Sequence, residues 1–174
     1  PSIVLSMQRD RCSSLMDTRQ LVDMFLNQEI DKATLNAEGA AKDFENGAAL
    51  YAKRDYSQSF ALWENAARHG NAMAKNNSAA CFLLGRGTRI NNAKALEWFK
   101  EAAASGDGLA LHNLGVIYEN GLAEVVPDPE YGRYLKQRAL KVDGGRASHR
   151  VIDRAQSQHS QRKGAVILWY TKAS

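Results

Sequence analysis

Four histidines and two cysteines are the residues best suited to bind a metal or carry nucleophilic chemistry in this chain. Metal binding on a helix needs ligands one turn apart, and His69, His112, His149 and His159 are scattered, none with a second histidine or a cysteine at that spacing. Cys12 and Cys81 lie far apart and belong to no CxxC pair, so they predict neither a zinc site nor a disulfide framework, and they suit a reducing, intracellular compartment. Ser148-His149 and His159-Ser160 are neighbours along the chain, which does not seat a hydroxyl on an imidazole, and no nucleophile-elbow motif surrounds them. Gly106-x-Gly108 lacks the third glycine of a dinucleotide fingerprint and follows a helical pattern instead of a strand, so it reads as a helix-ending turn. Asn76-Asn77-Ser78 has the form of a glycosylation sequon, but it falls within a predicted helix of a chain that reads as non-secreted. These readings predict a protein that is not an enzyme and uses no cofactor or metal.

Charge is the second kind of chemistry available. The segment 1–43 holds five basic and seven acidic residues, 44–143 twelve and eleven, and 144–174 six and one, so the net charge of +4 comes from the tail. Arg146, Arg150 and Arg154 recur every fourth residue, which on a helix over Ala147–Gln158 would form one basic stripe. Arg162 and Lys163 follow, and then the apolar run Val166, Ile167, Leu168, Trp169 and Tyr170. Such a tail could contact an acidic protein surface, anionic lipid or RNA through its cations. The competing reading is a solvated capping helix. The apolar run is expected to dock somewhere, because a consecutive exposed stretch of this kind invites aggregation.

The elements that would carry these residues follow from composition and periodicity. A chain of 174 residues, 44% hydrophobic and 24% charged, suits one globular body, and its longest apolar run, Gly164–Tyr170, is far short of the roughly 20 residues of a membrane span. The stretch Leu62-Trp63-Glu64-Asn65-Ala66-Ala67-Arg68-His69-Gly70 returns 36 residues later as Trp98-Phe99-Lys100-Glu101-Ala102-Ala103-Ala104-Ser105-Gly106. Aromatic and alanine fall on one helical face, and the glycine suits a left-handed helix end. Upstream, Ala74, Asn77, Ala79, Phe82 and Gly85 are echoed by Ala110, Asn113, Gly115, Tyr118 and Gly121. Each unit therefore predicts two helices: an A helix with a small residue at a close approach, and a B helix with an aromatic and an alanine pair. A third B helix is predicted to start at Asp128 and Pro129 and to carry Tyr134, Leu135 and Ala139, with Arg138 in place of the first alanine. Leu15, Leu21, Val22, Met24, Phe25 and Ile30 recur at helical spacing and predict a helix from about Asp17 to Ile30.

The signature Leu114-Gly115-x-x-Tyr118-x-x-Gly121 and the block Ala93–Ala103 resemble the Sel-one-like repeats, longer-looped relatives of tetratricopeptide repeats. Gly47, Leu50, Tyr51, Asp55-Tyr56, Ser59, Trp63 and Ala66 follow the tighter tetratricopeptide spacing. The resemblance covers 44–147. It implies an all-α solenoid of about three helix pairs, with an N-terminal extension and capping helix over 1–43 and a basic C-terminal helix with an apolar tail over 148–174. It also implies a non-catalytic scaffold whose partners are other protein subunits. In that family the position of Asn77 and Asn113 faces a concave groove, so Asn76, Asn77, His112 and Asn113 become candidate partner contacts; the other reading has these amides bonding between repeats or to water. The expected role is an accessory subunit or assembly factor of a larger complex, with the mitochondrion as its compartment; a start at Pro1 in place of Met is read either as a removed leader or as a start inside a longer chain. The alternative is an RNA- or ribosome-associated protein using the basic tail.

Overall fold

The computed structural model describes residues 18–143, 150–156 and 163–169. It divides into two compact units, Pro1–Asn36 and Ala37–Ser174. The described part of the first is helical throughout: α1 runs unbroken over Thr18–Ala52, so its residues up to Asn36 lie in the first unit and the rest in the second. The expected helix at Asp17–Ile30 thus does not stop there, and no break falls at residue 43. Gly39 is the reason to look for one, yet a lone glycine with no capping residues beside it is tolerated inside a helix. Leu21, Met24, Phe25 and Ile30 on this segment are exposed.

In the second unit the helices alternate as the echo requires. The A helices are the end of α1, then α3 (Ala72–Leu84) and α5 (Gly108–Asn120); the B helices are α2 (Tyr56–Arg68), α4 (Asn92–Ala104) and α6 (Pro129–Asp143). Side-chain caps set their starts. Asn71, Asn91, Asp107 and Asp128 accept the amides of Ala74, Lys94, Ala110 and Tyr131 at 2.8–3.0 Å, and Asp55 accepts that of Gln58 at 3.3 Å. Left-handed glycines set the stops: Gly70 and Gly106 follow the B helices, and Gly85 and Gly121 cap the A helices. The two longer loops close alike, with Asn91 N–H donating to the Phe82 carbonyl at 3.0 Å and Asp128 N–H to that of Tyr118 at 2.7 Å.

One continuous core runs through the stack. Trp63 and Phe99, equivalent across the echo, are both fully buried, as are Ala66 and Ala102. Trp63 donates its indole N–H to the Phe44 carbonyl at 3.1 Å, and Ser59 its hydroxyl to that of Gly47 at 2.8 Å, locking α2 onto α1. Edge contacts Phe60–Phe82 and Phe82–Trp98, with centroids 5.1 and 5.6 Å apart, carry the packing from α2 through α3 to α4. At α5 and α6 the backbones themselves meet: a Cβ on Gly115 would stand 2.7 Å from the Gly132 carbonyl oxygen, and one on Gly132 would stand 2.6 Å from that of Gly115. Arg138 is exposed over the Tyr134 ring, 5.9 Å from its centroid, where the internal repeats bury Ala66 and Ala102. The repeat body is an all-α superhelix.

The chain ends differently from its sequence pattern. The helix expected over Ala147–Gln158 is instead strand β1 (Arg150–Gln156), paired antiparallel with β2 (Lys163–Trp169) in register Arg150↔Trp169 to Gln156↔Lys163. Spacing by four misleads here because residues i and i+4 share a side in a strand as well as in a helix. The β-branched residues of both segments, Val151-Ile152 and Val166-Ile167, tip the balance toward the ladder.

Candidate concave-face interaction site

The candidate partner-binding residues converge on the A helices. Asn77 and Asn113 stand two residues before Ala79 and Gly115, the small residues of the echo, and that places them on matching faces of α3 and α5. Asn113 donates its side-chain amide to Asn76 Oδ1 at 2.9 Å, and Asn76 donates to Asn77 Oδ1 at 3.3 Å. The result is a ladder of amides bridging adjacent repeats. Asn76, Asn77 and Asn113 are all 0% exposed, and His112 is half-buried. With the hairpin in place these three asparagines have no exposed surface, and the Asn113–Asn76 bond joins the two repeats. A buried amide must find a partner, since leaving one unmade costs about 1–3 kcal/mol, so the ladder fixes the rotation of α5 against α3.

The cover over this face comes from the tail. Strand β2 lies against both α3 and α5, and β1 touches α3. The apolar residues Val166, Ile167, Leu168 and Trp169 of the expected docking segment belong to β2, the strand that lies against the A helices, and Tyr170 lies outside the described residues. Arg150 and Arg154 fall on β1 and Lys163 on β2, whereas Arg146 and Arg162 lie outside the described residues. The three cations are thus carried by strands and not by one helical stripe.

The signal that could have revealed the covered face is in α5. A helix with one packed side and one wet side alternates apolar and polar every three to four residues. In α5, Leu109, Ala110, Leu111, Leu114, Val116 and Ile117 spread over more than half of the circumference and are all buried. The first repeat lacks this pattern. Glu45 stands two residues before Gly47, the place of Asn77 and Asn113 in the later repeats, and it is exposed together with its neighbour Asn46.

Among the described residues no three or more His, Cys, Asp or Glu side chains gather where they could hold a metal ion, and no helix is long and apolar enough to cross a membrane. What the arrangement offers is a shaped face built from neighbouring helix pairs, able to hold a length of polypeptide. Fold and face together define a helical-repeat interaction protein. The chain belongs to the Sel1 repeat family, with repeats at 44–71, 72–107 and 108–141. Sel1 repeats generally mediate protein–protein interaction and form a scaffold fold that is generally non-catalytic. The chain is similar to chitin synthase regulatory factor 3 of Schizosaccharomyces pombe, 28% identical over 101 residues that make up 58% of this chain and 11% of that protein. It is also similar to chitin synthase regulatory factor 2 of the same yeast, 30% identical over 96 residues, 55% of this chain and 19% of that protein. The chain thus spans a fifth or less of these relatives. Among solved structures it resembles a Sel1 repeat protein from Oxalobacter formigenes, with a TM-score of 0.54 and 29% identity over 59% of this chain and 43% of that one.

Proposed function

We propose that this protein is a non-catalytic interaction module that serves as an accessory or regulatory subunit of a multiprotein complex. The observation that carries the reading is that the A helices of two successive repeats already hold an extended segment of polypeptide, β2, across their shared face. A stack of helix pairs presents a continuous surface much larger than any single helix does, and extended segments bind such surfaces by shape and by apolar contact. The two yeast relatives named as regulatory factors support a regulatory place for the module. The protein acts by bringing its partner to a defined geometry, not by turning over a substrate.

The test is affinity capture on the full chain from the source organism, with nuclease and salt washes in parallel. A defined set of proteins that survives both treatments is the expected result. Recovery that depends on intact RNA and collapses with rising salt would overturn it, because phosphate contacts lose affinity steeply with salt.

A further inference from the structure

The cover on the concave face is unequal to the face it covers. Strands β1 and β2 make a two-stranded ladder of seven pairs, from Arg150↔Trp169 to Gln156↔Lys163. Such a hairpin is marginal by itself in water and keeps its form only by packing on something else. Beneath it lie two helices of thirteen residues each, with their own caps, their own packing against α4 and α6, and the Asn113–Asn76 amide bond between them. The helical body has the means to stand without the hairpin, whereas the hairpin depends on the body.

The strand that lies on these helices is apolar in sequence. Val166, Ile167 and Leu168 belong to β2, which runs against α3 and α5, and Leu83, Leu109, Leu111 and Val116 of those helices are buried. The first repeat, where Glu45 and Asn46 are exposed at the equivalent place, has the polar surface of a helix that meets water. Apolar cover is thus specified for the second and third repeats and not for the first.

We propose that the concave face of α3 and α5 is a receptor for an extended, apolar, strand-forming segment of a partner protein, and that β2 is its resident competitor. The inference rests on the interaction-module reading and adds to it the kind of ligand and the device that controls access. A partner enters by displacing a segment whose chemistry it shares, a run of β-branched and aromatic residues like Ala165–Trp169. While β2 is seated the face is closed, and apparent affinity falls in proportion to the fraction of molecules that are open.

The test needs no natural partner. A fluorescein-labelled peptide with the sequence of residues 163–170 is titrated into the full wild-type chain and into the full chain carrying Ile152→Pro and Ile167→Pro. These residues face each other near the middle of the ladder, and proline there fixes φ, lacks an N–H and is excluded from the interior of a paired strand. The expected result is binding about tenfold tighter or more to the double variant, following the gain in open fraction, with the helical circular-dichroism signal unchanged. Hydrogen exchange on the wild-type chain is expected to show the amides of 150–156 and 163–169 opening well before those of α3 and α5. Equal peptide binding to both chains, a variant that loses its helical signal, or strand amides that exchange in step with α3 and α5 would each overturn the proposal, making the hairpin a fixed part of the fold. Any of these results leaves the interaction-module reading standing, since that is judged on capture of partner proteins.

Discussion

The A helix of the first repeat and those of the second and third have the same place in the architecture and different surroundings. At equivalent positions the first presents Glu45 to water, and the others bury Asn77 and Asn113. The first repeat is joined to its B helix by a large aromatic, Trp63, whose indole bonds to backbone, whereas the third is joined by two glycines that let backbones touch. A repeat fold therefore specifies helix order and handover, while what each helix meets on its outer side is set repeat by repeat. Sequence identity between repeats is a guide to the packed side only.

The largest expected effect bears on the aromatic joint. Trp63→Ala should cost about 3–5 kcal/mol in urea denaturation, as removal of a buried tryptophan does. Because repeats are stabilised by their neighbours, hydrogen exchange should rise mainly in 37–52 and in α2, with α5 and α6 keeping most of their protection. Uniform loss of protection would show that the two ends are not separable, and the comparison would break. Gly115→Ala should cost about 1–3 kcal/mol by overpacking against the Gly132 carbonyl, read as a lowered urea midpoint. Asn113→Ala removes the donor to the buried Asn76 Oδ1 and should cost about 1–3 kcal/mol; the matched change Glu45→Ala, at an exposed position, should stay within about 0.5 kcal/mol. Equal costs for this pair would mean that the equivalent positions have equivalent environments. Gly39→Ala reverses the sign of the Gly115 change: nothing lies within 4 Å of the added methyl, so better helix propensity should raise stability by about 0.5–1 kcal/mol, visible as a higher melting temperature.

The repeat core was legible because its cause is local and recurs. Trp63 with Ala66, Phe99 with Ala102, and the helix-ending glycines Gly70 and Gly106 each carry their own helix signal, and a second copy 36 residues away confirms the period. Asp128 and Pro129 announce α6 in the same way. The asparagines were half legible. Their equivalence can be read from spacing, but whether an amide on that face meets a partner, a neighbouring repeat or water depends on what lies above it, and that is a long-range fact. The tail was misread for the same reason: one spacing satisfies two periods, and the choice was made by pairing with a segment that begins seven residues after β1 ends. The continuity of α1 was missed because its only interruption signal, Gly39, is too weak to end a helix without a cap.

The arginine at position 138 has a consequence for assembly between molecules. Stacked helix pairs are prone to continue from one copy to the next, and a head-to-tail contact of that kind, once it starts, has no symmetry to close it and grows into a fibre. Where the internal repeats bury an alanine, any further helix pair packing on α6 at this place would have to take a guanidinium out of water, which is costly unless a carboxylate meets it. An exposed cation on α6 thus biases what can pack there toward a surface that brings its own carboxylate.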